Sequence, residues 1–175
     1  FLAKELPKVG GVVIQTEDEI AALGVVLGAS FAGKKAMTAT SGPGFSLMVE
    51  MLGLAAMAEL PAVIVDSQRA GPSTGMPTKS EQADLMMAIH AGHGEAPRVV
   101  MGLTSVEDSF YGIIRAFNIA ETFQTPVVVL SDQGLSQREA SILKPETSDL
   151  EIVERRKPTV EDLAEYKRFK ITEDF

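Results

Sequence analysis

Thr38-Ala-Thr-Ser-Gly-Pro-Gly44 is the stretch on which the fold of this 175-residue chain turns. A short strand, Lys35 to Thr40, runs into it, and a Met- and Leu-rich helix, Phe45 to Glu59, leaves it. Strand, glycine-rich turn and helix make a βα unit. In α/β proteins the carboxyl ends of such strands are where ligands bind. Upstream, Glu19 opens a second apolar helix, E-I-A-A-L-G-V-V-L-G-A-S-F-A-G-K, read over residues 19–34. Thr16 precedes Glu19 in a T-x-x-E capping box. The two units bring a carboxylate and a glycine-rich turn to one edge of a parallel sheet.

Further strands and helices alternate around this pair. Val12-Val-Ile14, introduced by Gly10-Gly11, reads as a buried strand, and Ala62-Val-Ile-Val-Asp66 as a strand buried on both faces. A turn-rich segment follows, S-Q-R-A-G-P-S-T-G-M-P-T-K over residues 67–79, of a length that in compact domains is usually functional. Glu81 to Ala91 reads as a short helix and Arg98-Val-Val-Met101 as a strand. Ser105 and Asp108 form a second helix-start box, after which Val106, Phe110, Ile113, Phe117 and Ala120 lie on one helical stripe. Pro126 introduces the last strand, Val127-Val-Val-Leu130. This alternation predicts an α/β fold: a three-layer, doubly wound, mostly parallel sheet with helices on both faces. From about Gln137 the chain turns charged, with 16 of the last 35 residues charged against 24 in the first 140. Residues 1–137 are therefore expected to form the domain and 138–175 a linker or surface arm, with one short helix near Val160 to Phe169.

Composition removes several function classes. Apolar residues at 45% and charged residues at 23% are the balance of a globular domain with a proper core. A net charge of -8 repels phosphate backbones and argues against nucleic acid. The absence of cysteine excludes disulfides, thiolate zinc sites and iron–sulfur ligation within this chain. No apolar run reaches the roughly 18 residues of a membrane span. The opening F-L-A-K-E-L-P-K is too short and mixed for a secretory signal, so a cytoplasmic protein is expected. A chain that starts on Phe1 and ends on I-T-E-D-F is expected to be part of a longer polypeptide.

Several residues could carry chemistry. Glu19 either completes the capping box or serves as an acid–base carboxyl, which needs burial and a tuned pKa. Ser41-Gly42-Pro43-Gly44 is either a tight βα turn or a phosphate-binding helix start. It has neither the G-x-G-x-x-G spacing nor a G-K-[ST] ending. Arg69 is either a solvated loop residue or an anchor for a ligand carboxylate, which guanidinium grips with paired hydrogen bonds. His90 and His93, with Glu95, are thin support for a metal site and read better as solvated or loop-packing histidines. His93 is nevertheless expected near the same sheet edge. Met86-Met87 reads as core filler.

Glu19, its following Ala21, Ala22, Gly24 and Gly28-Ala29, and the T-S-G-P-G turn together resemble the pyrimidine-binding domain of thiamine-diphosphate enzymes. The spacing to Gly28 favours Glu19 over Glu17 and Asp18 as the family's glutamate. Gln68-Arg-Ala-Gly-Pro-Ser-Thr-Gly-Met-Pro-Thr78, continued by Lys79-Ser-Glu-Gln-Ala-Asp84, resembles the alpha subunit of 2-oxoacid:ferredoxin oxidoreductases of the 2-oxoglutarate type. The likeness runs from Phe1 to E-I-V-E-R-R-K-P-T in the tail. It implies that Glu19 is catalytic and bonds N1′ of the thiamine aminopyrimidine, and that Ser41, Gly42, Pro43 and Gly44 pack beside the cofactor. It further implies that Arg69 holds the substrate carboxylate, with Ser73, Thr74 and Thr78 as further substrate contacts.

The family's G-D-G…N motif is missing here. The resemblance therefore implies that thiamine diphosphate is shared with a beta subunit carrying the Mg2+ and iron–sulfur cluster, with coenzyme A and ferredoxin as further partners. The family's Tyr-Pro-Ile-Thr-Pro segment is expected before Phe1, and a later domain beyond Phe175. Three rivals are a non-oxidative thiamine-dependent decarboxylase subunit, a flavodoxin-like module binding a phosphorylated ligand, and a non-catalytic assembly subunit. The Arg69 to Thr78 stretch disfavours the first.

Overall fold

The computed structural model describes residues 1–171. After a short helix, α1 (Leu2–Glu5), the chain forms α2 (Glu19–Phe31), β1 (Met37–Thr40), α3 (Gly42–Met57) and β2 (Ala62–Gln68). Then come α4 (Leu85–His90), β3 (Val99–Gly102), α5 (Val106–Phe123), β4 (Pro126–Asp132) and α6 (Gln133–Ser136). The four strands are all parallel in the order β1-β2-β4-β3. The two central strands are the most apolar because both their faces are covered, as parallel sheets require. Val127, Val128 and Val129 of β4 are fully buried.

Alternate residues of these strands feed two cores. On one face Ile64, Val128 and Leu130 pack with Leu23, Val26 and Leu27 of α2 and with Phe45, Met48 and Leu52 of α3. On the other, Val63, Val127 and Val129 pack with Ala116 and Ala120 of α5. Each large side chain so buried contributes about 1.5–3 kcal/mol. The expected three-layer α/β architecture is present.

Local departures have local causes. Val12, Val13 and Ile14 form no strand and stay exposed, Val12 at 74%. An apolar triplet becomes a strand only beside an edge it can pair with, and the outer edge of β1 does not take it up. The cap of α2 belongs to Asp18, whose Oδ1 accepts from the Ala21 amide at 2.7 Å. Thr16 instead donates to the Asp18 carbonyl, so Glu19 is the first helical residue and takes no part in the cap. By contrast, Ser105 caps α5 through the Asp108 amide, and Asp108 returns the bond to the Thr104 amide, much as the sequence predicts. Helix α3 starts earlier than expected because Gly42-Pro43-Gly44 is its first turn, with proline placed where its missing N–H costs nothing. Met86 is 63% exposed, so only Met87 of that pair packs on the core.

Beyond Arg138 the described residues form no helix or strand apart from a 3-10 turn at Asp162–Ala164, in place of the helix expected near residues 160–169. It lies against the body at fixed points. The Arg155 guanidinium pairs with Glu121 of α5 at 3.1 Å and donates to the Ser30 carbonyl of α2. Asn118 bonds the backbone of Glu151 and Val153, and Arg168 donates to the Ala58 and Glu59 carbonyls past the end of α3. The last four residues of the expected arm, 172–175, lie outside the described residues.

Candidate functional site

Thr40, Asp66, Leu130 and Gly102 stand in one row across the sheet. Beyond that row lie the carboxyl ends of the strands, where the candidate residues converge. Ser41, the residue after β1, flanks α3 without a side-chain cap bond, and the buried Gly42 and Gly44 follow in the helix's first turn. Glu19, at the start of α2, reaches across to this turn. A Cβ added to Gly44 would come 2.7 Å from Glu19 Cγ and Oε1, and would collide with the Thr40 hydroxyl. Glycine is thus needed there for close approach, not for backbone conformation. The carboxylate, half-buried, sits against the T-S-G-P-G turn.

The expected substrate residues sit on an arm that leaves β2 at Gln68 and returns at Asp84. The arm is closely self-bonded. Ala70 pairs with Met76, the Ala70 amide donates to the Lys79 carbonyl, and the Gly71 amide donates to Glu81. Gly75 has φ +61, and a Cβ there would run into the Ala70 carbonyl, so only glycine fits the bend. Arg69 Nη2 donates to the Thr74 carbonyl at 3.0 Å, while Arg69 Nε is buried without a partner. Ser73, Thr74 and Thr78 are exposed, and among the described residues no hydrogen bond joins them to Glu19 or the turn. The structure therefore brings Glu19 and Ser41 to Gly44 together, and holds the arm beside them through its two ends.

Those ends contain residues that motif reading passed over. Asp66 of β2 is fully buried, and neither carboxylate oxygen has a donor. Asp84 lies in contact with it; burial and this neighbour push the Asp66 carboxyl up to about 7. Burial also raises the Asp84 carboxyl, and Glu81 adds to the effect. Asp84 in turn covers Gly42, where an added Cβ would fall 2.8 Å from Oδ2. Buried Gln68 ties the neck: its Oε1 accepts from the Asp84 amide at 3.0 Å and its Nε2 donates to the Ser131 carbonyl. Gln82 donates to Asp132 at 2.6 Å, and the Leu135 amide and Gln82 hold that carboxyl below its usual range. The one sequence signal for this network was an aspartate closing the otherwise apolar run Ala62 to Asp66.

Between the ends of β3 and β4 a cleft of about 270 Å3 is lined by Gln68, Gln82, Leu85, Leu103 and Ser131. His93 lies elsewhere. It lines a second cleft, of about 400 Å3, with Gly53, Met57 and Arg98. Arg98 precedes β3 and Met57 ends α3, so this is the amino end of the sheet, and the expectation that His93 shares the edge fails. Among the described residues no three His, Asp or Glu side chains form a metal-binding group.

The chain matches the family described as pyruvate flavodoxin/ferredoxin oxidoreductase, thiamine diP-binding, over residues 1–173. It belongs to that family. It is 52% identical to the 2-oxoglutarate synthase subunit KorA of Archaeoglobus fulgidus, a match covering 89% of this chain and 45% of that one. It is 47% identical to the 2-oxoacid:ferredoxin oxidoreductase subunit alpha of Saccharolobus solfataricus, covering 93% and 26%. A solved structure, the 2-oxoglutarate:ferredoxin oxidoreductase of Magnetococcus marinus with 2-oxoglutarate, coenzyme A and succinyl-CoA bound, superposes with a TM-score of 0.94 at 51% identity. That superposition covers 99% of this chain and 30% of the other. The chain spans less than half the length of these relatives. Its thiamine diP-binding family is the one the T-S-G-P-G turn and the Arg69 to Asp84 stretch resemble.

Proposed function

We propose that this chain is the pyrimidine-binding part of the alpha subunit of a 2-oxoacid:ferredoxin oxidoreductase acting on 2-oxoglutarate. Residues 1–137 form that domain and 138–175 the arm leading out of it. The observation that carries the reading is Glu19. Because Asp18 caps α2, the Glu19 carboxyl is left free to serve the edge, where it rests against Gly44. Thiamine diphosphate, when bound, supplies the electron sink that lets a 2-oxoacid lose carbon dioxide. The residues present suit its aminopyrimidine. Glu19 holds a proton at N1′, and Ser41, Gly42, Pro43 and Gly44 give the ring a surface without bulky side chains. The buried, unpartnered Nε of Arg69 is a donor that fits a substrate carboxylate, and Ser73, Thr74 and Thr78, on the same arm, would be further substrate contacts.

The diphosphate, Mg2+ and iron–sulfur cluster belong to a beta subunit, coenzyme A takes the acyl group and ferredoxin the electrons. Ile20, Val25, Leu47, Leu54 and Met57 are exposed on α2 and α3, as suits a domain covered by another chain. The phosphate-module reading loses ground at Gly42. The Asp84 carboxylate already covers the start of α3 and would repel a phosphate there.

The test is Glu19→Gln beside Glu17→Gln in the intact enzyme. Glutamine keeps the size but cannot exchange a proton with N1′. Turnover of the Glu19 variant should fall at least about 10²-fold, with the fold unchanged by circular dichroism. An active Glu19→Gln with a dead Glu17→Gln would place the acid–base carboxyl at Glu17.

A further inference from the structure

We propose that Asp66 and Asp84 share one proton and so form a latch that closes the neck of the 69–84 arm against the first turn of α3. Asp66 Oδ1, Asp66 Oδ2 and Asp84 Oδ2 are all buried without a hydrogen-bond partner, and two neighbouring carboxyls so placed cannot both remain charged without a cation. None is at hand. Among the described residues no Lys, Arg or His nitrogen pairs with either of them. The charge of Glu81, on the arm, raises Asp84 further, and Asp132 at the end of β4 and Glu19 at the start of α2, toward the same end of the sheet, are acidic as well. Arg69 spends an Nη on the Thr74 carbonyl, and Lys79 is exposed. β1 offers only Thr40, and the first turn of α3 no ionisable side chain. With one proton between them the pair satisfies itself, one O–H donating to the other carboxylate. That bond seats Asp84 over Gly42 and keeps its amide on Gln68.

The sign follows from which state keeps the proton. Asp66 is raised to about 7 by burial and by Asp84, so the closed neck binds the proton more tightly than an open, hydrated one. Closure is fully favoured below the ordinary carboxylate range and is lost as pH rises through about 7. Above that, the pair repels itself. Asp66 is fixed in the sheet, whereas the half-buried Asp84 can turn out to water, loosening the arm that carries Arg69. That the loosening touches substrate binding rests on the proposed function; the latch itself does not.

Amide hydrogen exchange in the intact enzyme, corrected for intrinsic rates, reads the latch without reference to turnover. Protection of the Asp84, Ala70 and Met76 amides should fall at least tenfold between pH 6 and pH 9, given a one-proton limit of about tenfold per pH unit. Asp84→Asn lets an amide donate permanently to Asp66 and should flatten this dependence; Asp66→Asn should do the same from the other side. A protonated-carboxyl infrared band in the unmodified protein, titrating near neutral pH, is expected whether or not either variant folds. Level protection across that range, an unchanged slope in a folded Asp84→Asn, or no such band would each overturn the latch. Exchange that opens with pH while the KM for the 2-oxoacid stays level supports the latch and counts against the arm's role in holding substrate.

Discussion

The Ser41 to Gly44 turn and the 69–84 arm reach the same sheet edge, yet they are held there by different physics. The turn is the first turn of a 16-residue helix and continues directly into Phe45 and Met48, both fully buried. Its position is fixed by the core, and Glu19 comes to it from a second helix of the same core. The arm buries almost nothing beyond Ala70. It is shaped by its own backbone hydrogen bonds and joined to the body at its neck, through Gln68 and the Asp66–Asp84 contact. Packing makes the turn insensitive to solution conditions. Polar contacts at a neck leave the arm open to them. Under the proposed function, a carboxyl that must not wander suits the first arrangement, and a loop that would admit and hold a substrate suits the second.

Gly44→Ala tests the rigid side and should have the largest effect. The new methyl would meet the Thr40 side chain and lie 2.7 Å from Glu19, so both side chains must give way. Overpacking of this sort costs about 1–3 kcal/mol of stability. Pushing Glu19 aside by even an ångström can cost about 10²-fold in turnover. Thermal melts and steady-state kinetics of the intact enzyme measure the two together. Full turnover in a folded Gly44→Ala would mean that the carboxylate need not stay where it rests.

Arg69 tests the other side. Losing a charge-assisted bond to a substrate carboxylate should cost about 1.5–3 kcal/mol, roughly ten- to hundredfold in kcat/KM. Lysine offers a point charge without the planar fork, so Arg69→Lys should recover only part of what Arg69→Ala loses. The defect should follow the 2-oxoacid, not coenzyme A or ferredoxin, when each is varied in turn. An unchanged kcat/KM for every 2-oxoacid tried would leave Arg69 a brace for the Thr74 carbonyl and no more.

The turn was legible in the sequence because its determinants are local. Thr38 to Gly44 states a strand end, a small-residue turn and a helix start in seven letters. Ser105 and Asp108 likewise announced the cap they make. The Asp66–Asp84 contact was not legible, because it joins residues 18 apart across a loop whose path no local rule fixes. Val12 to Ile14 misled for a related reason, since strand formation is decided by a neighbour that a three-residue pattern cannot name. Arg69 was found as a residue but not as an environment. Its bond to Thr74 and its orphaned Nε depend on how the arm folds back on itself.

The smallest expected effect concerns the cap of α2, and it bears on why Glu19 is free. The T-x-x-E pattern would have Thr16 and Glu19 satisfy each other's amides, leaving Glu19 a structural residue. The structure gives the cap to Asp18, whose Oδ1 accepts from the Ala21 amide, while Thr16 merely donates to the Asp18 carbonyl. Removing an aspartate cap costs about 1 kcal/mol. Asp18→Ala should therefore lower the stability of the protein by about that amount. Thr16→Ala gives up one exposed hydroxyl bond and should cost clearly less. Denaturant unfolding of both variants separates the two registers, because a Thr16 cap reverses the order. In that case Glu19 would be bound to the helix end that the turnover experiment assumes it has left.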